Sequence, residues 1–86
     1  METLDGNAIA GVLHEIFRKE MTAVTATCAS CGFAAVIANG VVYPRLPGEV
    51  VRCRNCGALL MVITRVHGVN CVDLRGIAAL ESPRDT

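Results

Sequence analysis

Two short stretches with the same pattern, Cys28-Ala29-Ser30-Cys31-Gly32 and Cys53-Arg54-Asn55-Cys56-Gly57, decide how this chain of 86 residues folds. In each, two residues separate a pair of cysteines, so the backbone can turn until both sulfurs face one point. The glycine that follows can adopt a positive φ without a Cβ clash, which allows a tight turn. Four thiolates at this spacing can complete a tetrahedron around one metal ion. The predicted ligands are Cys28, Cys31, Cys53 and Cys56.

Zinc is the metal that this ligand set favours, one ion per chain, because its filled d shell imposes no preference against a tetrahedral sulfur cage. Iron in the same cage would make a one-electron carrier and stays open as an alternative, as do redox disulfides within each pair. Zinc bound by four thiolates keeps no open position for water and is a poor Lewis acid. Since no nucleophile with a recognisable base is evident either, we expect a protein that is not an enzyme.

Length and composition indicate one domain spanning residues 1–86. Eight basic residues balance eight acidic ones, so no net charge draws the chain toward nucleic acid. The apolar stretches are too short to span a bilayer, and the N-terminus lacks the features of a secretory signal. Paired C-x-x-C in such a chain, with an odd total of five cysteines, indicates metal binding rather than disulfides. We expect a cytoplasmic protein without membrane contact, whose folding requires its metal.

Hydrophobic periodicity predicts an N-terminal helix over residues 5–20, with Asp5 or Asn7 as its cap. From Thr22 the period changes to two, which predicts strands separated by turns through residue 75. Asn39-Gly40 is a strong hairpin signal. Residues 76–86 complete the chain as a C-terminal turn and a polar tail, with a last helical turn at Ile77–Glu81. The predicted class is α+β, mostly β, with the helix followed by an antiparallel sheet.

The predicted strands alternate with turns in a simple order. The strands are expected at residues 22–28, 33–38, 41–43, 49–53, 58–66 and 69–75. Besides Asn39-Gly40, turns are expected at Pro44–Gly48 and at His67-Gly68, and Ser82–Thr86 forms the polar tail.

Four arginines are candidates for a nucleic-acid contact, although the chain offers few aromatic rings on which bases could stack. Two of them flank Cys53 and could instead offset the negative charge of a zinc tetrathiolate. The four are Arg45, Arg52, Arg54 and Arg65.

The remaining reactive side chains have structural explanations. Cys71 is expected in the core as a small apolar residue, with a reactive thiol as the alternative. His14 is expected at the surface of the helix and His67 in a turn. Asp73 and Arg75 alternate along a strand, which predicts an ion pair.

At its two C-x-x-C-G sequences the chain resembles the zinc-ribbon superfamily over residues 28–57 and, with the following hairpin, over 22–75. The resemblance implies a zinc-ribbon-type antiparallel sheet. Rubredoxins also carry two such sequences, but here Arg54-Asn55 stands where a proline is expected and the aromatic core is missing, which disfavours iron. The opening residues 1–8, the cysteine pairs and Asp73-Leu74-Arg75-Gly76 together resemble a family of short, uncharacterised bacterial proteins.

These observations predict a structural-zinc protein that binds a protein partner as an adaptor. Nucleic-acid or ribosome association through the four arginines, and a rubredoxin-like redox accessory with iron, remain alternatives. The candidate docking surfaces are the N-terminal helix, if its apolar stripe exceeds what the sheet can cover, and the exposed edge of the sheet.

Overall fold

The computed structural model describes residues 4–45 and 48–82 of the chain. Within these ranges the chain forms eight strands, one α-helix and three short 3₁₀ segments. In chain order the strands are β1 (Leu4–Asp5), β2 (Thr25–Cys28), β3 (Ala34–Val36), β4 (Val41–Arg45), β5 (Gly48–Arg52), β6 (Leu59–Val66), β7 (Val69–Asp73) and β8 (Ile77–Glu81).

The strands form two separate sheets. The larger has the order β1-β4-β5-β6-β7 and the smaller the order β3-β2-β8, and every pairing is antiparallel. A mostly β fold with an N-terminal helix and antiparallel sheets is therefore confirmed. The long strand predicted at 58–66 corresponds to β6, and the turn predicted at His67-Gly68 joins it to β7.

The N-terminal helix is shorter than predicted. A 3₁₀ segment at Gly6–Ile9 leads into α1 (Ala10–Phe17). Asp5 Oδ1 accepts the backbone N–H of Asn7 at 3.0 Å, which is the expected N-cap. The helix ends where Arg18 adopts a left-handed conformation (φ 59°), so residues 18–20 lie outside it.

A single apolar core joins the helix to both sheets. Leu13 of α1 is fully buried in this core, and the larger sheet contributes residues from one face of β4, β5 and β6. The buried cluster consists of Ile9, Leu13, Met21, Val24, Ala26, Ile37, Val42, Val51, Met61 and Ile63.

The hairpin predicted at Asn39-Gly40 is wrong. The strands on either side, β3 and β4, belong to different sheets and do not pair. A 3₁₀ turn at Ile37–Asn39 carries the chain across, and Gly40 has a φ of −66° instead of the positive value that a type I′ turn requires. Asn-Gly therefore marks a crossover between sheets, because its turn chemistry does not specify what the flanking strands pair with.

The last helical turn, predicted at Ile77–Glu81, is also wrong, since this segment forms β8 beside β2. The apolar run Ile77-Ala78-Ala79-Leu80 suits either structure, and the free edge of β2 supplies the partners of a strand. The turn predicted at Pro44–Gly48 is described only in part. Pro44 and Arg45 belong to β4 and Gly48 belongs to β5, whereas Leu46 and Pro47 lie outside the described residues. Within the predicted tail, residues 83–86 lie outside them as well.

Gly76 marks a close backbone approach between the two sheets. A Cβ at this position would fall on the carbonyl of Leu59 and on Cα of Leu60, at the start of β6. The Gly76 carbonyl also accepts the N–H of Ala29 at 2.9 Å. Gly76 thus connects the cysteine-bearing turn after β2 with the strand that follows the second cysteine pair.

Gly76→Ala is expected to lower the free energy of unfolding by about 1–3 kcal/mol, because the added methyl must displace backbone. Gly11→Ala is the matched control, since Gly11 is exposed on α1 with open space around its Cβ. That substitution should stabilise the protein by up to about 1 kcal/mol. Urea unfolding of both metal-loaded variants measures the two changes, and equal effects would contradict the close approach.

Candidate metal centre

Each C-x-x-C-G sequence forms a tight turn, called here a knuckle, within a hairpin. The first knuckle, residues 28–32, joins β2 to β3 in the smaller sheet, and the second, residues 53–57, joins β5 to β6 in the larger sheet. The two hairpins place all four predicted ligands together. The sulfurs of Cys28, Cys31, Cys53 and Cys56 lie within 4.8 Å of one another.

The two knuckles share one hydrogen-bond frame. In each, the carbonyl of the first cysteine accepts the N–H of the glycine at 2.9 Å. The N–H of that cysteine donates across the hairpin, to Phe33 O at 2.9 Å in the first knuckle and to Ala58 O at 2.8 Å in the second. Gly32 and Gly57 have φ of 77° and 79°, so the expected positive φ is confirmed.

The distances between sulfurs of different knuckles fit a metal-centred tetrahedron. Cys28 Sγ lies 3.7 Å from Cys56 Sγ, and Cys31 Sγ lies 3.8 Å from Cys53 Sγ. With metal–sulfur bonds of about 2.3 Å, the edge of a regular tetrahedron is about 3.8 Å. A sulfur–sulfur bond is only about 2.05 Å long, so the spacing suits an ion between the thiols and not disulfides. The four cysteines are therefore positioned to hold a metal ion.

Burial divides each knuckle in the same way. The first cysteines, Cys28 and Cys53, are 2% and 4% exposed, whereas the second, Cys31 and Cys56, are exposed. Each short sulfur–sulfur distance joins a buried thiol of one knuckle to an exposed thiol of the other. The cluster therefore extends from the core to the surface.

Hydrogen bonds and mutual repulsion separate the acidities of the two exposed thiols. The Asn55 side-chain amide, 3.5 Å from Cys31 Sγ, and then the backbone N–H of Phe33 lower the pKa of the Cys31 thiol to about 6. The N–H of Ala58 donates to Cys56 Sγ at 3.4 Å and favours its thiolate. Desolvation and the neighbouring cysteines outweigh this bond and raise the pKa of Cys56 to about 12, since two thiolates this close repel. A bound dication would remove that repulsion.

The structure divides the four candidate arginines between two ends of the larger sheet. Arg52 Nη1 donates to Gly57 O at 3.0 Å and Arg54 Nε donates to Asn39 O at 2.8 Å, so both brace the second knuckle. Arg45 lies at the far end of β4, opposite the start of β5. Arg65, on β6, pairs with Glu49 at 3.3 Å. The structure brings Arg52 and Arg54 to the cluster and does not bring the four together.

Cys71 differs from its predicted place. It is exposed on β7 rather than buried in the core, because it shares the outward face of that strand with Val69.

His14 is exposed on α1, and His67 occupies the β6–β7 turn, as expected. The predicted ion pair also forms, with Arg75 Nη2 2.7 Å from Asp73 Oδ2, and its guanidinium lowers the pKa of Asp73.

Sequence reasoning missed three residues that support the cluster. Asn55 donates to a ligand sulfur, Asn39 accepts from Arg54, and Gly76 holds the first knuckle through Ala29. The position of Asn55 between the second pair of cysteines was the one available signal. The contacts of Asn39 and Gly76 depend on the sheet arrangement and leave no local pattern.

A four-thiol cluster between two antiparallel sheets defines a small, mostly β protein suited to binding one metal ion. The chain belongs to an uncharacterised family described as "Family of unknown function (DUF6510)", which matches residues 1–85. No curated protein and no solved structure matches the chain significantly. Among the described residues, no helix is long and apolar enough to cross a membrane.

Acidification is expected to weaken metal binding, more steeply below about pH 6 than above it. In the metal-free protein Cys56, with a pKa of about 12, is protonated at neutral pH, so a metal must displace its proton. Below about pH 6 Cys31 also carries a proton, and one more must be displaced. Competition with a chromophoric chelator on both sides of pH 6 measures this slope.

Asn55→Ala removes the largest cause of the lowered Cys31 pKa and should move the change of slope to higher pH. Asn70→Ala, which removes a side-chain amide on β7, is the control and should leave the pH of this change in slope unaltered. A slope that is constant in the wild-type protein would contradict the assigned acidities.

Proposed function

We propose that the protein is a structural-zinc module of the zinc-ribbon type that binds a protein partner and is not itself catalytic. One observation carries the proposal: four cysteine sulfurs from hairpins of different sheets lie within 4.8 Å of one another. An all-sulfur tetrahedral set favours zinc. A chain of 86 residues benefits strongly from such a tie because its apolar core is small.

The composition of the donor set favours a structural role. Four thiolates fill the tetrahedral sphere of zinc, so no position remains for water or substrate. Zinc bound in this way supplies folding free energy and not Lewis-acid chemistry. All five cysteines are free thiols, which suits the reducing cytoplasm that we propose as the location.

The helix has little apolar surface left for a partner. Leu13 and Ile9 are buried, and Val12, Ile16 and Phe17 pack against the same core. The stripe predicted on the helix is therefore covered by the sheets. The binding surface that we propose lies elsewhere.

The outer face of the larger sheet, which points away from the core, offers a better surface. Tyr43 and Val50 lie opposite one another on β4 and β5 and, with Leu59, line an open groove of about 380 Å³. Arg45 and Arg52 line the same groove. The Arg52 guanidinium lies 5.9 Å from the centre of the Tyr43 ring, which holds both side chains in place.

This groove combines an apolar floor with two positive charges, so it fits a protein segment that carries apolar side chains beside carboxylates. Aromatic and arginine side chains are the residue types that most often dominate binding energy at interfaces. An acidic, partly apolar segment of another protein is therefore the partner class that we propose.

Purified protein is expected to hold one zinc ion per chain. Cys53→Ser should reduce zinc affinity roughly 10²–10³-fold, because a structural site worth about 10–16 kcal/mol derives on the order of a quarter from each ligand. Cys71→Ser is the matched control and should bind zinc normally, since Cys71 lies outside the cluster. Elemental analysis and chelator competition measure both, and a strong chelator should abolish the cooperative thermal transition.

Two results would contradict the zinc assignment. Native protein that is coloured and contains iron would support the redox alternative. Unchanged circular dichroism and melting after verified metal removal would show that the metal does not hold the fold.

A photoreactive phenylalanine analogue in place of Tyr43 should crosslink to a defined protein partner in producing cells. The same analogue at Gly11, on the far side of the sheet, is the position control. Arg45→Glu should reduce the Tyr43 adduct several-fold by reversing one charge of the groove, whereas Arg18→Glu should not. Equal, diffuse labelling from both positions would contradict a binding site in the groove.

A further inference from the structure

The outer edge of β7 is an unpaired strand edge. β7 is the last strand of the larger sheet and pairs with β6 alone within the described residues. Its two-residue turn, with φ of 52° at His67 and 77° at Gly68, has the form of a type I′ hairpin. The residues that flank such a turn form a hydrogen-bonded pair, and pairs then alternate along the ladder.

This alternation determines which backbone groups of β7 are free. The hydrogen-bonded pairs with β6 are Val66↔Val69, Thr64↔Cys71 and Val62↔Asp73. The N–H and C=O groups of Asn70 and Val72 therefore point away from β6. They form a row of donors and acceptors that another strand can pair with.

Apart from the charge of Asp73 at its end, the edge carries few of the usual devices that prevent pairing. β7 has no proline or lysine, and its five residues match β6 without a bulge. The opposite edge of the same sheet is different, since β1 has two residues and runs directly into a 3₁₀ segment. The hairpin tip beside β7 also exposes Val66 (47%) and Val69 (60%).

We infer that a second copy of this chain pairs with this edge, β7 against β7 in antiparallel orientation about a twofold axis. Two copies can pair only in registers that place Asn70 or Val72 of one copy opposite Asn70 or Val72 of the other. Only these two residues have backbone groups that point away from β6. One of these, with Asn70 opposite Val72 of the second copy, overlaps all five residues of both strands. It places Cys71 opposite Cys71 at the axis, and registers shifted by one step in either direction overlap fewer residues.

The charges along the edge are compatible with this register. Asp73 lies opposite Val69 of the second copy, so the two Asp73 carboxylates are about 13 Å apart along the strands. That separation exceeds the screening length of about 8 Å at physiological ionic strength, so their repulsion is weak. The outward backbone groups of Asn70 and Val72 lie symmetrically about Cys71, so two copies of this edge can satisfy all of these groups at once, which is why we commit to a second copy.

Only the five residues of β7 in each copy take part in the pairing, fewer than the roughly 20–30 residues that each partner contributes to a standard interface. We therefore expect a concentration-dependent association rather than a permanent dimer. The association goes beyond the proposed function, because it uses an edge of the sheet and not the groove, and no partner protein takes part.

The register makes Cys71 a reporter of the association. It occupies a non-hydrogen-bonded pair, where Cα atoms are about 4.5 Å apart, within the range that disulfides span. In metal-loaded wild-type protein, added diamide should accept the two electrons and two protons of a Cys71–Cys71 bond and trap a covalent dimer. We expect at least a ~10-fold faster reaction than for Gly11→Cys/Cys71→Ser, whose one thiol outside the cluster is on α1. Equal rates would mean random collision and would overturn the proposal.

A mixing experiment tests the register. Val69→Cys and Asp73→Cys, each combined with Cys71→Ser, should form a mixed disulfide dimer when mixed and form little dimer separately. Self-crosslinking of either variant, as fast as the mixed reaction, would overturn the register.

Proline tests the backbone pairing. Asn70→Pro removes one outward N–H and should abolish the Cys71 crosslink, whereas Asn70→Ala should retain it. Metal content and circular dichroism report whether each variant is folded. A crosslink that persists in folded Asn70→Pro would contradict edge pairing. Because purified protein suffices, failure here leaves the partner groove untouched, and failure of the groove leaves this edge untouched.

Discussion

Four cysteine sulfurs, two from a hairpin of each sheet, meet within 4.8 Å of one another beside a small apolar core. The first knuckle belongs to the β2–β3 hairpin and the second to the β5–β6 hairpin. Among the described residues the chain passes between the sheets from β1 to β2, from β3 to β4 through the 3₁₀ turn at Ile37–Asn39, and from β7 to β8. Among the described residues, the core that joins the sheets contains ten buried apolar residues. In a chain this short, ordering the backbone offsets nearly all of the free energy gained by burying such a core. We therefore propose that a metal ion bound by the four sulfurs stabilises this arrangement.

The cluster and the core form one continuous unit. Cys28 and Cys53 are as buried as the apolar residues beside them, and each begins a knuckle whose backbone is fixed by the same two hydrogen bonds. Arg54 and Gly76 add contacts from the segments that pass between the sheets. Cys28 ends β2, which carries the core residue Ala26, and Cys53 directly follows β5, which carries the core residue Val51, so the cluster is continuous with the core.

The surfaces that remain free for interaction are those that the core and the cysteine cluster do not cover. The core face of the larger sheet is covered by the helix and the smaller sheet, so its outer face is left to solvent with Tyr43 and Val50 at its centre. The same sheet ends in β7, whose outward backbone groups have no partner among the described residues. The groove on the outer face and the free edge of β7 are the two surfaces that we propose for interaction.

The sequence by itself determined the local features: the two knuckles with their positive-φ glycines, the four clustered cysteines, the N-terminal helical segment that begins at the Asp5 cap, and β6 with the turn after it. Each depends on spacing or periodicity within a few residues. Tertiary structure alone decided that Asn39-Gly40 crosses between sheets, that Ile77–Glu81 forms a strand, and that Cys71 is exposed. These depend on which strands pair and which faces become covered. Strand pairing and the burial of a sheet face both involve residues that are distant in the chain, so no local sequence pattern encodes them.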